Sequence, residues 1–358
     1  MLSHISMKKL NILIVIMLVF LPFLGCIENN EVNLKYQSNE QMIKSVKQGI
    51  IQMNFTIRTD DTTELTRLWV PYPVSNYYQE INDYHINGNY NYSGVFRESE
   101  SGTMILYAKW ENTETFPQLN FSFHIKREER IRKNFTITNN DLPVYVEPYL
   151  IPTSLGPIDG IVKEIADEII EDNITILTKA ISIYDYLIEH GERDPGLSFC
   201  GNGDVCILLQ NLHGKCADFS SVFVALSRSV DVPSREIFGT RMSEEGDITG
   251  SYHCHAEFYL PTYGWIPVDP SDVAKLMFNE HLELDDPQII EARDYYFGMQ
   301  SDTYVDLSMG RDIILNPEQD GEPLNYFMYP YAEVDGESLD FISQESLKYV
   351  VSFKEDMN

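Results

Sequence analysis

The spacing of apolar residues changes part-way along this chain, and that change limits the fold to a mixed class. Between residues 49 and 139, apolar and polar residues alternate in short runs rich in Thr, Tyr and Phe. The clearest runs are 52–57, 66–71, 104–108 and 120–125. Such runs, separated by turn sequences such as Asn87-Gly88, predict an antiparallel β-sandwich domain over residues 45–142.

A helical pattern replaces the β pattern after a connector, residues 143–157, that prolines punctuate. Apolar side chains then fall on one face of two successive amphipathic segments. They are Ile161, Ile165, Ile169 and Ile170 in the first, and Ile174, Leu177, Ile181, Tyr184 and Ile188 in the second. Residues 158–300 are therefore expected to form an α+β core, and residues 301–358 a C-terminal β-rich extension. The chain as a whole is expected to be α+β.

The charge balance excludes one class of partner. Acidic residues outnumber basic ones by 55 to 26, which gives a formal net charge of −29 at pH 7. A surface that binds DNA or RNA needs a basic patch to neutralise phosphates, so we expect no nucleic-acid partner. The same charge repels anionic lipid headgroups, so attachment to a membrane would need a separate device.

The N-terminus offers such a device. Lys8 and Lys9 precede an apolar run, residues 12–24, and a small residue, Gly25. A short basic stretch, an apolar segment and a small residue before a cleavage point are typical of a secretory signal, here residues 1–25. An uncleaved anchor helix is the alternative, although the run is shorter than the roughly 20 residues that a spanning helix needs. Both interpretations predict an extracytoplasmic protein attached to the membrane.

The residues around Cys26 specify how the attachment is made. Phe23-Leu24-Gly25-Cys26 resembles the lipobox of exported lipoproteins. That resemblance implies cleavage before Cys26 and a lipid on its sulfur. The polar residues 26–44 that follow are expected to be a flexible tether between the membrane and the folded body.

The first candidate for chemistry is Cys216. It follows Gly214-Lys215 and leads into a helical run marked by Val222 and Phe223. A cysteine in the first turn of a helix meets partial positive charge, which stabilises the thiolate and lowers the thiol pKa. Backbone N–H groups at that end, including that of Cys216, can also stabilise an oxyanion.

His253 and Asp269 supply the partners. Residues 252–260 read as a strand, followed by a turn and a second strand over 265–270. Antiparallel neighbours joined by a short loop would bring His253 close to Asp269. A helix-start cysteine with a strand histidine and an aspartate that orients its ring is the Cys-His-Asp arrangement of acyl transfer.

Four motifs in this order resemble the transglutaminase-like superfamily, whose members share a papain-like core. They are residues 214–219, 232–235, 253–259 and 263–269, and residues 325–335 also resemble the C-terminal region of prokaryotic members. The resemblance implies a transglutaminase-like α+β core behind an N-terminal β domain. It also implies a catalytic triad of Cys216, His253 and Asp269.

His255 is the departure from the family pattern. In the family, an aromatic residue, usually Trp, stands two positions after the catalytic histidine. That register makes His253 the base and puts His255 in the place of the Trp. Because alternate strand residues share a face, His255 is expected beside the site. Two roles stay open: a packing substitute with a polar edge, or a group that alters substrate contact or the titration of the pair.

Other interpretations of the cysteines and histidines also stay open. His253 and His255, with Cys216, Cys254 or Asp269, have the residue types of a zinc site. Cys200 and Cys206 flank a turn-rich segment, so they form either a small disulfide loop or a free buried pair.

The expected function is cysteine-dependent acyl transfer at the cell exterior, most simply by a peptidase or amidase acting on an extracellular protein or peptide. No metal or organic cofactor is needed for this chemistry. A cross-linking transglutaminase uses the same triad with an amine in place of water. The remaining alternative is a catalytically silent surface module that binds a partner.

Overall fold

The computed structural model describes residues 44–136, 141–172 and 174–357. The predicted signal segment 1–25, the predicted lipidation residue Cys26 and all but the last residue of the predicted tether lie outside these residues. They therefore stay predictions. Within the described ranges, no helix is both long and apolar enough to cross a membrane.

Strands occupy both ends of the described chain, and the helices lie in its middle. The strands are β1 (Val46–Ile57), β2 (Leu65–Pro71), β3 (Gln79–Gly88), β4 (Tyr92–Arg97), β5 (Met104–Glu111), β6 (Gln118–Glu128), β7 (Arg130–Ile131), β8 (Glu192–Arg193), β9 (His213–Gly214), β10 (Ser234–Arg241), β11 (Gly246–Asp247), β12 (Tyr252–Leu260), β13 (Gly264–Val268), β14 (Met299–Gln300), β15 (Tyr304–Met309), β16 (Tyr331–Val334), β17 (Glu337–Ser338) and β18 (Leu347–Glu355). The α-helices are α1 (Ile161–Ile170), α2 (Ile176–His190), α3 (Val205–Leu208), α4 (Cys216–Ser229), α5 (Pro270–Glu280) and α6 (Pro287–Tyr295), and a 3₁₀ helix spans Val144–Leu150.

Two antiparallel five-stranded sheets form a sandwich. The first has the order β11-β18-β1-β6-β3, and the second has the order β17-β16-β2-β5-β4. Along β1, Ile51, Met53 and Phe55 are buried, while the residues between them are exposed or half-buried. They share one apolar core with Leu68 of β2 and Leu106 of β5 in the opposite sheet. The period-2 pattern predicted this burial, and the antiparallel sandwich is confirmed.

Residues 301–358, the predicted β-rich extension, supply strands to three sheets. β18 pairs with β1 along its whole length, with Phe353 opposite Ile51. β16 pairs with β2, with Tyr331 opposite Trp69. β15 pairs with β10 in the sheet of the core. The end of the chain is therefore tied both to its beginning and to the core.

The core is built on a four-stranded antiparallel sheet with the order β13-β12-β10-β15. Helix α4 packs on β12 and β10, and α1, α2 and α5 surround it. Every residue of α4 is buried, from Cys216 to Ser229. The mixed helix and sheet content confirms the α+β class, and the α4–β12 contact brings the start of the helix to the strand that carries His253.

The strand before Asp269 is shorter than predicted. β12 spans Tyr252–Leu260 as expected, but β13 ends at Val268 and not at residue 270. Asp269 is instead the N-cap of α5, and its side chain accepts a hydrogen bond from the Asp272 N–H. Pro270 lacks the N–H that a continued sheet ladder needs, and its fixed φ suits the first helical position.

Candidate active site

Cys216 is held at the helix start by Asp218. The Asp218 carboxylate accepts hydrogen bonds from the N–H groups of Lys215 (2.8 Å) and Gly203 (2.8 Å). Gly214 leaves room for this contact, since a Cβ there would lie 2.5 Å from the Cβ of Asp218. The loop before α4 and the loop at residue 203 are thus fixed on one side chain, and the Cys216 side chain between them is buried.

His253 and Asp269 meet as predicted. Nε2 of His253 lies 2.7 Å from Oδ2 of Asp269. The other oxygen, Oδ1, accepts from the Ser271 hydroxyl (2.7 Å) and the Asp272 N–H (3.1 Å). Because Nε2 is committed to Asp269, Nδ1 is the ring atom left for the thiol of Cys216, which lines the same pocket.

Burial and neighbouring charges set the protonation of the pair. Hydrogen bonds from the thiols of Cys200 and Cys254, together with the charge of His253, lower the pKa of Cys216 well below its ordinary value despite burial. Burial and Arg241 lower the pKa of His253, but the charges of Asp269 and Cys216 outweigh them and raise it to about 9. At neutral pH the two groups therefore form a thiolate–imidazolium pair.

Burial raises the pKa of the third member, Asp269, but interactions with its neighbours have the larger combined effect. The charge of His253, its hydrogen bond and the charge of Arg241 lower the pKa of Asp269 below its usual range. A carboxylate that stays ionised keeps the imidazole oriented and stabilises its charged form.

A pocket of about 560 Å³ opens onto Cys216 and His253. The N–H of Ala217 already donates to the Cys200 carbonyl (2.9 Å). For the Cys216 N–H, no acceptor is found in the described part of the chain. That N–H is therefore available to donate a hydrogen bond to the oxyanion that forms on a carbonyl group attacked by the Cys216 thiol.

Comparison with known proteins identifies the family. The model of the transglutaminase-like superfamily matches residues 163–270, which include all three of these side chains. An uncharacterised protein of Haemophilus influenzae is 35% identical over 312 residues, covering 79% of this chain and 85% of that protein. The chain belongs to the transglutaminase-like superfamily. The resemblance predicted from the four motifs is confirmed.

One solved structure supports the fold. A candidate cysteine protease from Cytophaga hutchinsonii is 18% identical, with 87% of this chain and 99% of that chain covered and a TM-score of 0.53. The periplasmic domain of TgpA from Pseudomonas aeruginosa is 10% identical, with 64% of this chain and 90% of that chain covered and a TM-score of 0.36. The Cytophaga hutchinsonii structure is evidence for the fold and not for the activity.

Two side chains outside the transglutaminase-like motifs complete the charge network of the site. Arg241, at the end of β10, forms an ion pair with Asp272, and its guanidinium also lies 3.6 Å from Oδ2 of Asp269. The hydroxyl of Tyr304, on β15, donates a hydrogen bond to Oδ2 of Asp269 and accepts one from the guanidinium of Arg241 (2.6 Å). The sequence prediction missed both, because they lie on strands brought in by long-range pairing and no local pattern marks them.

His255 lies behind the site. It is 2% exposed, and the amide nitrogen of Gln300 approaches its ring at 3.0 Å. The Tyr304 ring stands edge-on to both histidines, with its centroid 5.3 Å from each. Burial lowers the pKa of His255 to about 4, so its ring is neutral at pH 7. His255 is absent from the described residues that line the site pocket, an arrangement that favours the packing role.

The cysteines differ from both arrangements expected for Cys200 and Cys206. Both are free, and only Cys200 is buried, whereas Cys206 is exposed on α3. Cys200 instead accepts from the Tyr329 hydroxyl (3.3 Å) and joins Cys216 and Cys254 in one buried cluster. The turn-rich segment between Cys200 and Cys206 does bend, but it closes no disulfide. Its Gly203 N–H instead binds Asp218 at the start of α4.

A metal does not fit the acidic side of the site. His253, Asp269 and Asp272 have ligand atoms within 4.8 Å of one another, and within the described ranges no cysteine and no His255 joins that group. The guanidinium of Arg241 already lies against both carboxylates. A divalent cation would meet this positive charge, so the zinc interpretation loses its physical basis.

Proposed function

We propose that the protein is an extracytoplasmic cysteine hydrolase, a peptidase or amidase, that uses Cys216, His253 and Asp269. Its membership of the transglutaminase-like superfamily supports a cysteine-dependent enzyme. The observation that carries the proposal is the 2.7 Å contact between His253 and Asp269, with the Cys216 thiol in the same pocket. Cys216 acts as nucleophile, His253 as acid and base, and Asp269 as the group that orients the ring.

The first half-reaction forms a thioester. The Cys216 thiolate attacks the carbonyl carbon of an amide, a C–S bond forms, and the carbonyl electron pair moves to oxygen. The Cys216 N–H stabilises that oxyanion. As the tetrahedral intermediate collapses, the C–N bond breaks and the imidazolium of His253 gives its Nδ1 proton to the leaving amine.

The second half-reaction returns the enzyme. Neutral His253 takes a proton from water at Nδ1, and the hydroxide oxygen attacks the thioester carbon. The C–S bond then breaks, which releases the carboxylic acid and regenerates the thiolate–imidazolium pair. Asp269 stays ionised throughout and holds Nε2.

Isotope incorporation tests hydrolysis without a known substrate. Full-length protein is incubated in H₂¹⁸O with a peptide library made from extracellular protein, with and without a primary amine. We expect new ¹⁸O-labelled carboxyl groups with the wild type and none with Cys216→Ala. Equal labelling by both, or amine conjugates in place of ¹⁸O products, would contradict the proposed hydrolase.

The membrane anchor is a separate part of the proposal. We propose that lipid on Cys26 attaches the protein to the outer face of the membrane, so that its substrates are extracellular proteins or peptides. Cells fed an alkyne-bearing fatty acid should label the wild type but not Cys26→Ser, which should leave the membrane fraction. Labelling of both variants would mean that another residue carries the lipid, and membrane retention of both without label would point to an uncleaved N-terminal helix.

A further inference from the structure

The site pocket differs in charge from the rest of the molecule. Besides His253, four basic side chains line it, those of Arg193, Lys215, Arg241 and Lys275, and no Asp or Glu is among the described residues that do. In the whole chain, acidic residues outnumber basic ones by 55 to 26. A pocket lined by one sign of charge and partly screened from water concentrates ligands of the opposite sign.

Two of the four basic side chains are already engaged. Arg241 is held by Asp272 and by the Tyr304 hydroxyl. Lys215 donates its ammonium to the carbonyl of Leu197. The carboxylates of Asp272 and Asp269 offset the charge of Arg241, and the Leu197 carbonyl holds the Lys215 ammonium in place.

The other two have no such contacts. Within the described ranges, neither the Arg193 guanidinium nor the Lys275 ammonium has a hydrogen-bond or ion-pair partner, although both residues are half-buried. Partial burial weakens the hydration of a cation, and a bound anion restores the lost interactions. Arg193 and Lys275 are therefore the side chains with capacity for an anionic group.

Their positions in the fold put both beside the reacting groups. Arg193 of β8 pairs with Gly214 of β9, two residues before Cys216. Lys275 follows Asp272 by three positions on α5, so the two lie on one face of that helix. Helix α5 also packs against β8, which brings the two cations to the same side of the pocket.

We propose that Arg193 and Lys275 form a subsite that binds a carboxylate group of the substrate next to Cys216. The planar guanidinium of Arg193 matches a carboxylate through two parallel hydrogen bonds, and Lys275 adds a point charge. This inference rests on the proposed function, since it describes the substrate of that reaction. The carboxylate is either an acidic side chain or a free C-terminus.

Two alkylating agents of nearly equal size test the subsite. Iodoacetate carries a carboxylate and iodoacetamide is neutral, and both modify a thiolate. The rate at Cys216 is measured in the full-length protein by mass spectrometry of the peptide that contains it. The ratio of the iodoacetate rate to the iodoacetamide rate should fall on the order of fivefold in each of the single variants Arg193→Gln and Lys275→Gln.

Matched variants separate charge from folding. Arg193→Lys keeps the charge and should keep most of the ratio. Lys348→Gln, which removes an exposed lysine from β18, should leave the ratio unchanged. An unchanged ratio in both Arg193→Gln and Lys275→Gln would overturn the subsite alone. Failure of wild-type Cys216 to react with iodoacetamide faster than an ordinary thiol would instead overturn the proposed function.

Protection of Cys216 from iodoacetamide identifies the source of the carboxylate. Three compounds of one shape are compared: N-acetylglutamate α-amide has a side-chain carboxylate, N-acetylglutamine has a terminal one, and N-acetylglutaminamide has neither. Protection by one charged compound, lost in Arg193→Gln, supports the subsite and identifies the source. Equal protection by the neutral compound contradicts it.

Discussion

His253 and His255 lie on one face of β12, but at neutral pH the ring of His253 is charged and that of His255 is neutral. The charges of Asp269 and Cys216 raise the pKa of His253 to about 9 against burial, whereas burial lowers that of His255 to about 4. A group that delivers a proton to a leaving amine must carry it at working pH, and only His253 does. Under the proposed mechanism His253 is therefore the acid–base residue, and His255 is a neutral neighbour two positions away.

Alanine variants of the two histidines should therefore behave differently. His253→Ala should lower ¹⁸O incorporation by about 10²–10⁴-fold, because the acid–base group is lost. His255→Ala should lower the free energy of unfolding by about 1–3 kcal/mol while changing the rate far less, because it leaves a cavity behind the site. The opposite order of rate losses would reassign the base.

The register of these histidines could be read from the sequence, but the surrounding network could not. Local motifs identified His253, and the turn between β12 and β13 brought Asp269 to it. Arg241 and Tyr304 reach Asp269 from positions 28 and 35 residues away, across strand pairings that depend on the whole sheet. Local periodicity carries no information about such pairings.

The beginning of α4 depends on one carboxylate. Asp218 accepts from Lys215 and Gly203 at 2.8 Å each, and it faces the hydrogen-bonded loop before Cys216. The sequence showed a helix beginning near Cys216, because the glycine and the helical spacing are local. It did not show that residue 203 is bound to the same side chain.

Removing that carboxylate should loosen the helix start. Asp218→Ala leaves the buried Gly203 N–H and the half-buried Lys215 N–H without acceptors, so we expect a loss of about 1–3 kcal/mol in the free energy of unfolding by urea denaturation. The alkylation rate of Cys216 should fall as well, because the backbone around the thiol loses its fixed geometry. Asp218→Asn, which keeps one acceptor oxygen, should lose less. Equal stability of Asp218→Ala and the wild type would contradict this role.

Across the whole molecule, the last strand joins the sandwich to the site. β18 lies between β1 and β11, and its inward-facing side chains belong to the sandwich core. Tyr349 of the same strand also lines the pocket at Cys216. The sequence predicted β structure here but not its partner, since the pairing joins residues about 300 positions apart.

Adjacent valines on β18 give a matched test of that arrangement. Val351 is 1% exposed and Val350 is 47% exposed. Val351→Ala should lower the free energy of unfolding by about 1.5–3 kcal/mol, and Val350→Ala by less than about 1 kcal/mol. Urea denaturation measures both. A larger loss for Val350→Ala would mean that the strand faces the other way.

The thiolate–imidazolium pair is the central claim, and the pH dependence of Cys216 alkylation tests it directly. An ordinary thiol of pKa ≈ 8.5 reacts about 75-fold faster at pH 8 than at pH 6. Because the pKa of Cys216 is lowered well below its ordinary value, its rate with iodoacetamide should be nearly the same at both pH values.

The variants complete this measurement. In His253→Ala the loss of the imidazolium should move the rise in rate to higher pH. Cys206→Ser, which changes an exposed cysteine outside the buried cluster, should leave the profile as it is. A wild-type rate that climbs through pH 8 like that of an ordinary thiol, or a profile that is the same with and without His253, would contradict the account.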